Sequence, residues 1–173
     1  MKANKLSYEE QVLMLGDGTI LEPGCYDEGL NMIGRFSDCN IECNQKKDVS
    51  YVICPESLKG VTEEMFKDME NLQKVILSKD LKKIESYTFA YKKKLTNIQI
   101  PDGLEIIGMY SFANSGLKSI EIPSSVKVIE HGAFYSSDLE SFSMPKADDV
   151  VNIEDIAFLY CNALESVILP EGL

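Results

Sequence analysis

From about residue 51 the apolar positions of the chain recur with a long period. Phe66, Phe89, Phe112, Phe134 and Phe158 stand 23, 23, 22 and 24 residues apart. The residue five places before each is always Val or Ile: Val61, Ile84, Ile107, Ile129 and Ile153. Each phenylalanine is followed by a leucine and two further apolar residues. These triplets are Leu72, Val75, Leu77; Leu95, Ile98, Ile100; Leu117, Ile120, Ile122; Leu139, Phe142, Met144; and Leu164, Val167, Leu169. A partial sixth copy comes first, where Val52-Ile53-Cys54-Pro55 with Leu58 lines up with Ile98-Gln99-Ile100-Pro101 with Leu104. Self-similarity at a fixed period of this size marks a stacked repeat architecture.

Two local periods lie inside each copy. The last two apolar residues of Leu-x-x-Ile-x-Ile alternate with polar ones, so they share one face of a strand. The proline that often follows (Pro101, Pro123, Pro145, Pro170) cannot donate to a ladder and ends the strand. The proline-free segment around each phenylalanine suits a short helical turn. In the first copy, Thr62 ahead of Glu63 and Glu64 reads as an N-cap with acids in the first turn. One strand and one helical turn cannot bury an apolar face alone, but stacked copies can, in a continuous solenoid core. The expected fold is an α/β solenoid of about five to six turns of 22–24 residues with a parallel strand sheet.

The column pattern resembles the leucine-rich repeat, and more narrowly the BspA-like leucine-rich repeats. The residues that carry the likeness are the Ala-Phe pairs (133–134, 157–158) and the Ile-Pro pairs (100–101, 122–123), which recur in register. The likeness covers about residues 51–173. The usual cysteine column is filled only by Cys161; Met69, Lys92, Ser115 and Ser137 stand near it elsewhere. The resemblance implies a right-handed superhelix, and a surface adhesin or interaction protein rather than an enzyme.

Residues 1–50 do not follow the repeat. Ser7-Tyr8-Glu9-Glu10 reads as a capping box for a helix over 7–15, Gly16-Asp17-Gly18 as a turn, and Thr19-Ile20-Leu21 as strand-like before Pro23-Gly24. A further strand is expected from Asp48 to Cys54. Because a terminal repeat needs its core covered, 1–50 reads as an N-terminal cap, with a separate small functional domain as the alternative. The other end stops in mid-repeat at Pro170-Glu171-Gly172-Leu173 with no polar cap. The array 51–173 therefore reads as a fragment of a longer one or as an end covered by another chain. Val167, Ile168, Leu169 and Leu173 are the residues through which self-association would run.

Composition narrows the function. The formal net charge is −11, which argues against a phosphate-backbone binder, so no nucleic acid partner is expected. The longest uncharged stretch, Ile106 to Leu117, is too short and too polar to span a bilayer, so no membrane insertion is expected. The first ten residues hold two lysines but no apolar run after them, unlike a secretory leader. Five cysteines cannot all pair within one chain. Together these read as a cytoplasmic protein with reduced thiols; cell surface or secreted is the alternative if a leader has been trimmed, as the resemblance implies.

Candidate chemistry is sparse. Cys25, Cys39, Cys43 and Cys54 could supply four zinc ligands, but Cys54 falls in the inward strand column and so reads as core. No metal and no cofactor are expected. Burial should make Cys54 and Cys161 slow toward thiol reagents, with Cys39 or Cys43 faster or paired. His131, the single histidine, occupies a variable loop position beside Ser86, Met109 and Asp155 of other copies, and no histidine-dependent triad can be assembled. Glu63, Glu85, Glu105, Glu130 and Glu154 read as a solvated rim, and Lys92-Lys93-Lys94 as a short exposed basic run. No catalytic residue is expected.

What remains is the strand face opposite the core. The residue before the first Ile of each strand, and the one between the two, should point away from the core. One column reads Tyr51, Lys74, Asn97, Ser119, Ser141, Ser166; the other reads Ile53, Ile76, Gln99, Glu121, Ser143, Ile168. Stacking sets them into two ribbons with a step of about 5 Å. They are the candidate contact surface for a protein partner. The expected function is a non-catalytic protein–protein interaction module. The alternative is a structural spacer or assembly segment of a longer surface protein.

Overall fold

Each repeat closes into one coil with three sides, and the sides stack into rows along the array. The computed structural model describes residues 23–29, 31–37, 40–43 and 45–171. Its strands, in chain order, are β1 Gly24–Tyr26, β2 Met32–Ser37, β3 Asn40–Glu42, β4 Tyr51–Ile53, β5 Gly60–Val61, β6 Lys74–Ile76, β7 Lys83–Ile84, β8 Ile106–Ile107, β9 Ser119–Glu121, β10 Val128–Ile129, β11 Ser141–Ser143, β12 Asn152–Ile153 and β13 Ser166–Ile168.

The first side of the coil is the expected strand. Its row is split in two: β13, β11 and β9 form one parallel sheet, and β6 joins β4 in another. Between them lies the segment 97–100, which keeps only an isolated bridge, Asn97 to Ser119. Asn is a weak strand former, yet Ile98 and Ile100 beside it stay 4% and 5% exposed, so side-chain packing continues where the ladder lapses.

The second side is a row that the sequence reading did not separate out. The two-residue strands β5, β7, β8, β10 and β12 make a continuous parallel sheet. The register Val61–Ile84–Ile107–Ile129–Ile153 is the column five places before each phenylalanine.

The third side corrects an expectation. A helical turn forms only in the first copy, as α1, Glu63–Phe66, with Thr62 as its extended N-cap and no side-chain bond from it. In the later coils the backbone enters the left-handed region at Tyr87, Tyr110, Gly132 and Ile156, and again at Tyr91, Asn114, Ser136 and Tyr160. Left-handed residues cannot continue a right-handed helix. They turn alternate N–H groups toward the neighbouring coil instead. Phe89 N–H donates to Ser111 O at 2.7 Å, Phe112 N–H to Ala133 O and Phe134 N–H to Ala157 O at 2.8 Å. Buried backbone groups must find partners, and here they find them between coils rather than within a helix.

Inside, the phenylalanine rings form one stack. Successive centroid separations along Phe66, Phe89, Phe112, Phe134 and Phe158 are 4.8, 5.4, 5.4 and 5.3 Å. Phe112 therefore sits between Phe89 and Phe134, as the repeat register requires. The inward strand residues Val75, Ile98, Ile120 and Phe142 close the core from the first side.

At the N-terminal end, β1 runs antiparallel to both β4 and β2, so the first side is extended by the antiparallel strands β1 to β3. Cys25, on β1, enters the same core as the coils. The backbones pack closely here: a Cβ on Gly24 would lie 2.9 Å from Gly34 O, which excludes larger residues. The strand expected over 48–54 forms as β4 after a short 3-10 turn, Lys46–Asp48. The helix expected over 7–15 and the strand over 19–21 lie outside the described residues.

Candidate functional site

The parallel register aligns the outward columns as the alternation requires. Ser119, Ser141 and Ser166 are paired neighbours, as are Glu121, Ser143 and Ile168. Tyr51 pairs with Lys74 and Ile53 with Ile76. The lapse at 97–100 divides these twelve residues into an N-terminal group of four and a second group of eight. In the second group, Asn97, Gln99, Ser119, Glu121, Ser141 and Ser143 line a groove of about 430 Å³ together with Asp102 and Pro123. Its lining offers hydroxyl and amide groups and two carboxylates, Glu121 and Asp102, and no cation. Such a surface can accept and donate hydrogen bonds.

One residue leaves the candidate surface. Ile53, expected to be exposed, is 4% exposed, and the alternation of β4 puts it on the face opposite Val52, so it is covered on that face. Tyr51 and Ile76 are half-buried, while Ile168 is half exposed.

The thiols are distributed by burial. Cys25 and Cys54 are buried, and loss of hydration pushes the Cys25 thiol up to about 12 and the Cys54 thiol higher still. Cys43 is partly buried, with Sγ donating to Ile33 O at 3.4 Å. Cys39 lies outside the described residues. Among the described residues no group of histidine, cysteine and carboxylate side chains could hold a metal ion. Cys161 corrects the expectation of full burial: it is partly exposed, with Sγ donating to Phe134 O at 3.0 Å.

The acidic rim is more structural than the sequence reading allowed. Glu130 accepts the Met109 N–H and Glu154 the His131 N–H, each at 2.8 Å, so both carboxylates fasten their coil to the one before it. Glu105 binds Lys127 at 2.9 Å, and this ion pair holds its carboxyl below the usual range. The sequence reading also missed the aromatic row on the turn side, which joins Tyr87, Tyr110, Tyr135 and Tyr160. Tyr87 and Tyr110 share a column two places before the phenylalanine, but Tyr135 and Tyr160 stand one and two places after it, so a column-by-column alignment does not join all four. His131 packs edge-on against Tyr110 at 5.5 Å.

A crystal structure of a leucine-rich repeat protein of T. pallidum matches with 27% identity and a TM-score of 0.65, over 72% of this chain and 59% of that one. A leucine-rich repeat protein from Bacteroides ovatus matches with 23% identity and a TM-score of 0.60, over 88% of this chain and 41% of that one. A leucine-rich cell surface protein from Faecalibacterium prausnitzii matches with 22% identity and a TM-score of 0.59, over 72% and 32%. The latter two support the fold alone, and the chain spans less than two thirds of the length of each. A search of curated proteins finds no match. Among the described residues no helix is long and apolar enough to cross a membrane. The BspA-type leucine-rich repeat region, six copies long, matches residues 82–173, just over half of the sequence. With its recurring Ile-x-x-x-x-Phe and Leu-x-x-Ile-x-Ile columns, the chain belongs to the BspA-type leucine-rich repeat family.

Proposed function

We propose that the chain is a non-catalytic binding module that presents its strand face to a protein partner. The groove of about 430 Å³ across the central coils carries this reading. Six side chains from three successive coils converge there, and a partner can satisfy their polar groups as it excludes water. Residues 1–50 then serve as the N-terminal cap. A surface role, which the family resemblance implies, is proposed in place of the cytosol-like compartment read from the N-terminal residues and the cysteines. Fractionation of the producing cells checks that location.

The test is substitution within the groove. Ser143→Arg and Gln99→Arg fill it without touching the core. Both variants should keep the parent's melting temperature and lose a partner recovered by cross-linking from the producing cells. Retention of that partner by both variants would overturn the reading.

A second reading, an assembly segment within a longer array, is favoured by the last coil. Val167 and Leu169, whose equivalents elsewhere are buried, are 50% and 45% exposed. Such a face can receive another chain. Light scattering at micromolar concentration should show self-association that Val167→Lys with Ile168→Lys abolishes; a monomer at all concentrations would count against it.

A further inference from the structure

The turn side of the array carries a second exposed surface, chemically unlike the groove. Tyr87 stacks on Tyr110 with centroids 5.4 Å apart. Tyr110 meets the edge of Tyr135 at 5.9 Å, and Tyr135 that of Tyr160 at 5.4 Å. Rings from four coils thus form one unbroken ridge. Tyr87 is 41% and Tyr160 57% exposed. The arrangement is built into the backbone. Gly132 adopts a φ of +62°, and a Cβ there would lie 2.4 Å from Tyr110 Cε1, so only glycine lets that ring lie across the next coil. Ring contacts fix these side chains before any partner arrives, which lowers the ordering cost of binding. Preformed, partly exposed tyrosines are the side chains that dominate interface energetics.

Charge selects the occupant. The turn segments 109–114, 131–136 and 155–160 contain no lysine or arginine. The charges beside them are the carboxylates of Glu130, Glu154 and Asp155; the cations lie at the N-terminal end of the ridge, where Lys83 pairs with Glu85 at 2.8 Å and Lys92-Lys93-Lys94 follow Tyr87's segment. Glu130 and Glu154 are each anchored through one oxygen to the preceding coil, so they are held in place at the edge of the ridge. Aromatic faces attract cations, and a guanidinium can stack on a ring while it donates to a carboxylate; an ammonium does this less well. A second ridge would bring the same carboxylates, Glu130, Glu154 and Asp155, against this one and meet repulsion there. We propose that the tyrosine ridge docks an extended, arginine-bearing peptide segment of a protein partner, independently of the strand groove.

The probe is a synthetic peptide of alternating arginine and serine, titrated into the full chain and followed by calorimetry and tyrosine fluorescence. The sequence has no tryptophan to mask that signal. The arginine peptide should bind, its lysine counterpart more weakly, and a glutamate counterpart not at all. Tyr87→Ser with Tyr160→Ser, at exposed positions, should weaken binding about tenfold. Glu154→Gln keeps a carbonyl for the His131 N–H and should also weaken it. Ser143→Arg in the groove should change nothing. Absence of binding, equal binding of the arginine and lysine peptides, or indifference to the tyrosine and glutamate variants would each overturn the proposal. So would binding of a chitin or cellulose oligosaccharide to the ridge in place of the peptide.

Discussion

The third and fifth coils share a sequence signature and differ in what it achieves. Ile107, Phe112, Ile120 and Ile122 in the one match Ile153, Phe158, Val167 and Leu169 in the other. Ile120 and Ile122 are 4% and 1% exposed, while Val167 and Leu169 are 50% and 45% exposed. Phe112 is wholly buried, whereas Phe158 is partly exposed. Backbone pairing is the same, because β13 is in register with β11 just as β11 is with β9. The motif therefore shapes the coil, and the neighbours on both sides bury it. Stability in such an array is a sum of local terms, and a residue counts according to how many coils cover it.

The strongest test of that comparison is a pair of truncations. Phe112→Ala should cost roughly 3–5 kcal/mol, the range for a fully packed aromatic ring. Phe158→Ala, covered on one side, should cost about half as much. Urea melts of the two variants read the difference directly. Equal losses would mean that position in the stack does not govern burial energy.

The next effect comes from thiols placed on the buried side of the same divide. Cys25 and Cys54 hold their protons in the folded protein beyond their ordinary value of 9.0. Above pH 9 the unfolded chain releases protons that the folded chain keeps. The unfolded state then binds fewer protons, so stability falls as pH rises, by up to about 1.4 kcal/mol per pH unit for each thiol. Below pH 9 these groups contribute no slope. Cys25→Ala with Cys54→Ala should flatten the alkaline limb relative to the parent. In the folded protein at pH 8, Cys161 should react with a thiol reagent before Cys25 and Cys54.

The fold was legible because its signal is repetition: five phenylalanines in register define the coil length, the inward strand columns and the ring stack. The helical turns were misread for a physical reason. Ala, Ser, Tyr and Met around each phenylalanine permit a helix, and their propensities do not register hydrogen bonds to a coil some 23 residues away, such as Phe89 N–H to Ser111 O. Only α1, which starts the row, is helical. The outward columns of the strand row could be read from alternation alone; that three coils of them enclose a groove could not. Nor could the loss of Ile53 from the exposed face, because burial on that face is not encoded in the alternation of β4 itself. The tyrosine ridge stayed hidden because only Tyr87 and Tyr110 share a column while Tyr135 and Tyr160 join from two others, and Gly132 gives meaning to Tyr110 only once the coils are stacked.

A smaller effect should come from the carboxylate staples. Glu154→Ala removes the acceptor of the His131 N–H and should cost about 1–2 kcal/mol, as expected for a hydrogen bond to a charged group. Glu154→Gln should recover most of that loss. The third coil provides the internal contrast: Gly108 stands in the same column, and a Cβ there would lie 2.6 Å from Ile84 O. That coil is close-packed by backbone contact and sends no carboxylate to the coil before it, although it receives the Glu130 staple at Met109. Thermal melts of both glutamate variants check the assignment, and a Gln variant no better than Ala would refute the staple.

The smallest expected effect tests the cysteine column itself. Cys161 in the fifth coil donates to Phe134 O, a backbone carbonyl of the preceding coil. Ser115, its counterpart in the third coil, is wholly buried and its hydroxyl has no hydrogen-bond partner. A buried hydroxyl without a partner carries a desolvation cost of about 1–3 kcal/mol that folding does not recover. Ser115→Ala removes that cost and leaves a void of less than one methyl group. The variant should therefore be neutral or up to about 1 kcal/mol more stable than the parent. Cys161→Ala deletes a made contact at a partly buried site and should be slightly destabilising. The two substitutions should thus move the urea midpoint in opposite directions. A loss of more than about 1 kcal/mol for Ser115→Ala would mean that an ordered water satisfies the hydroxyl, and that the central coil is better bonded than its protein contacts alone imply.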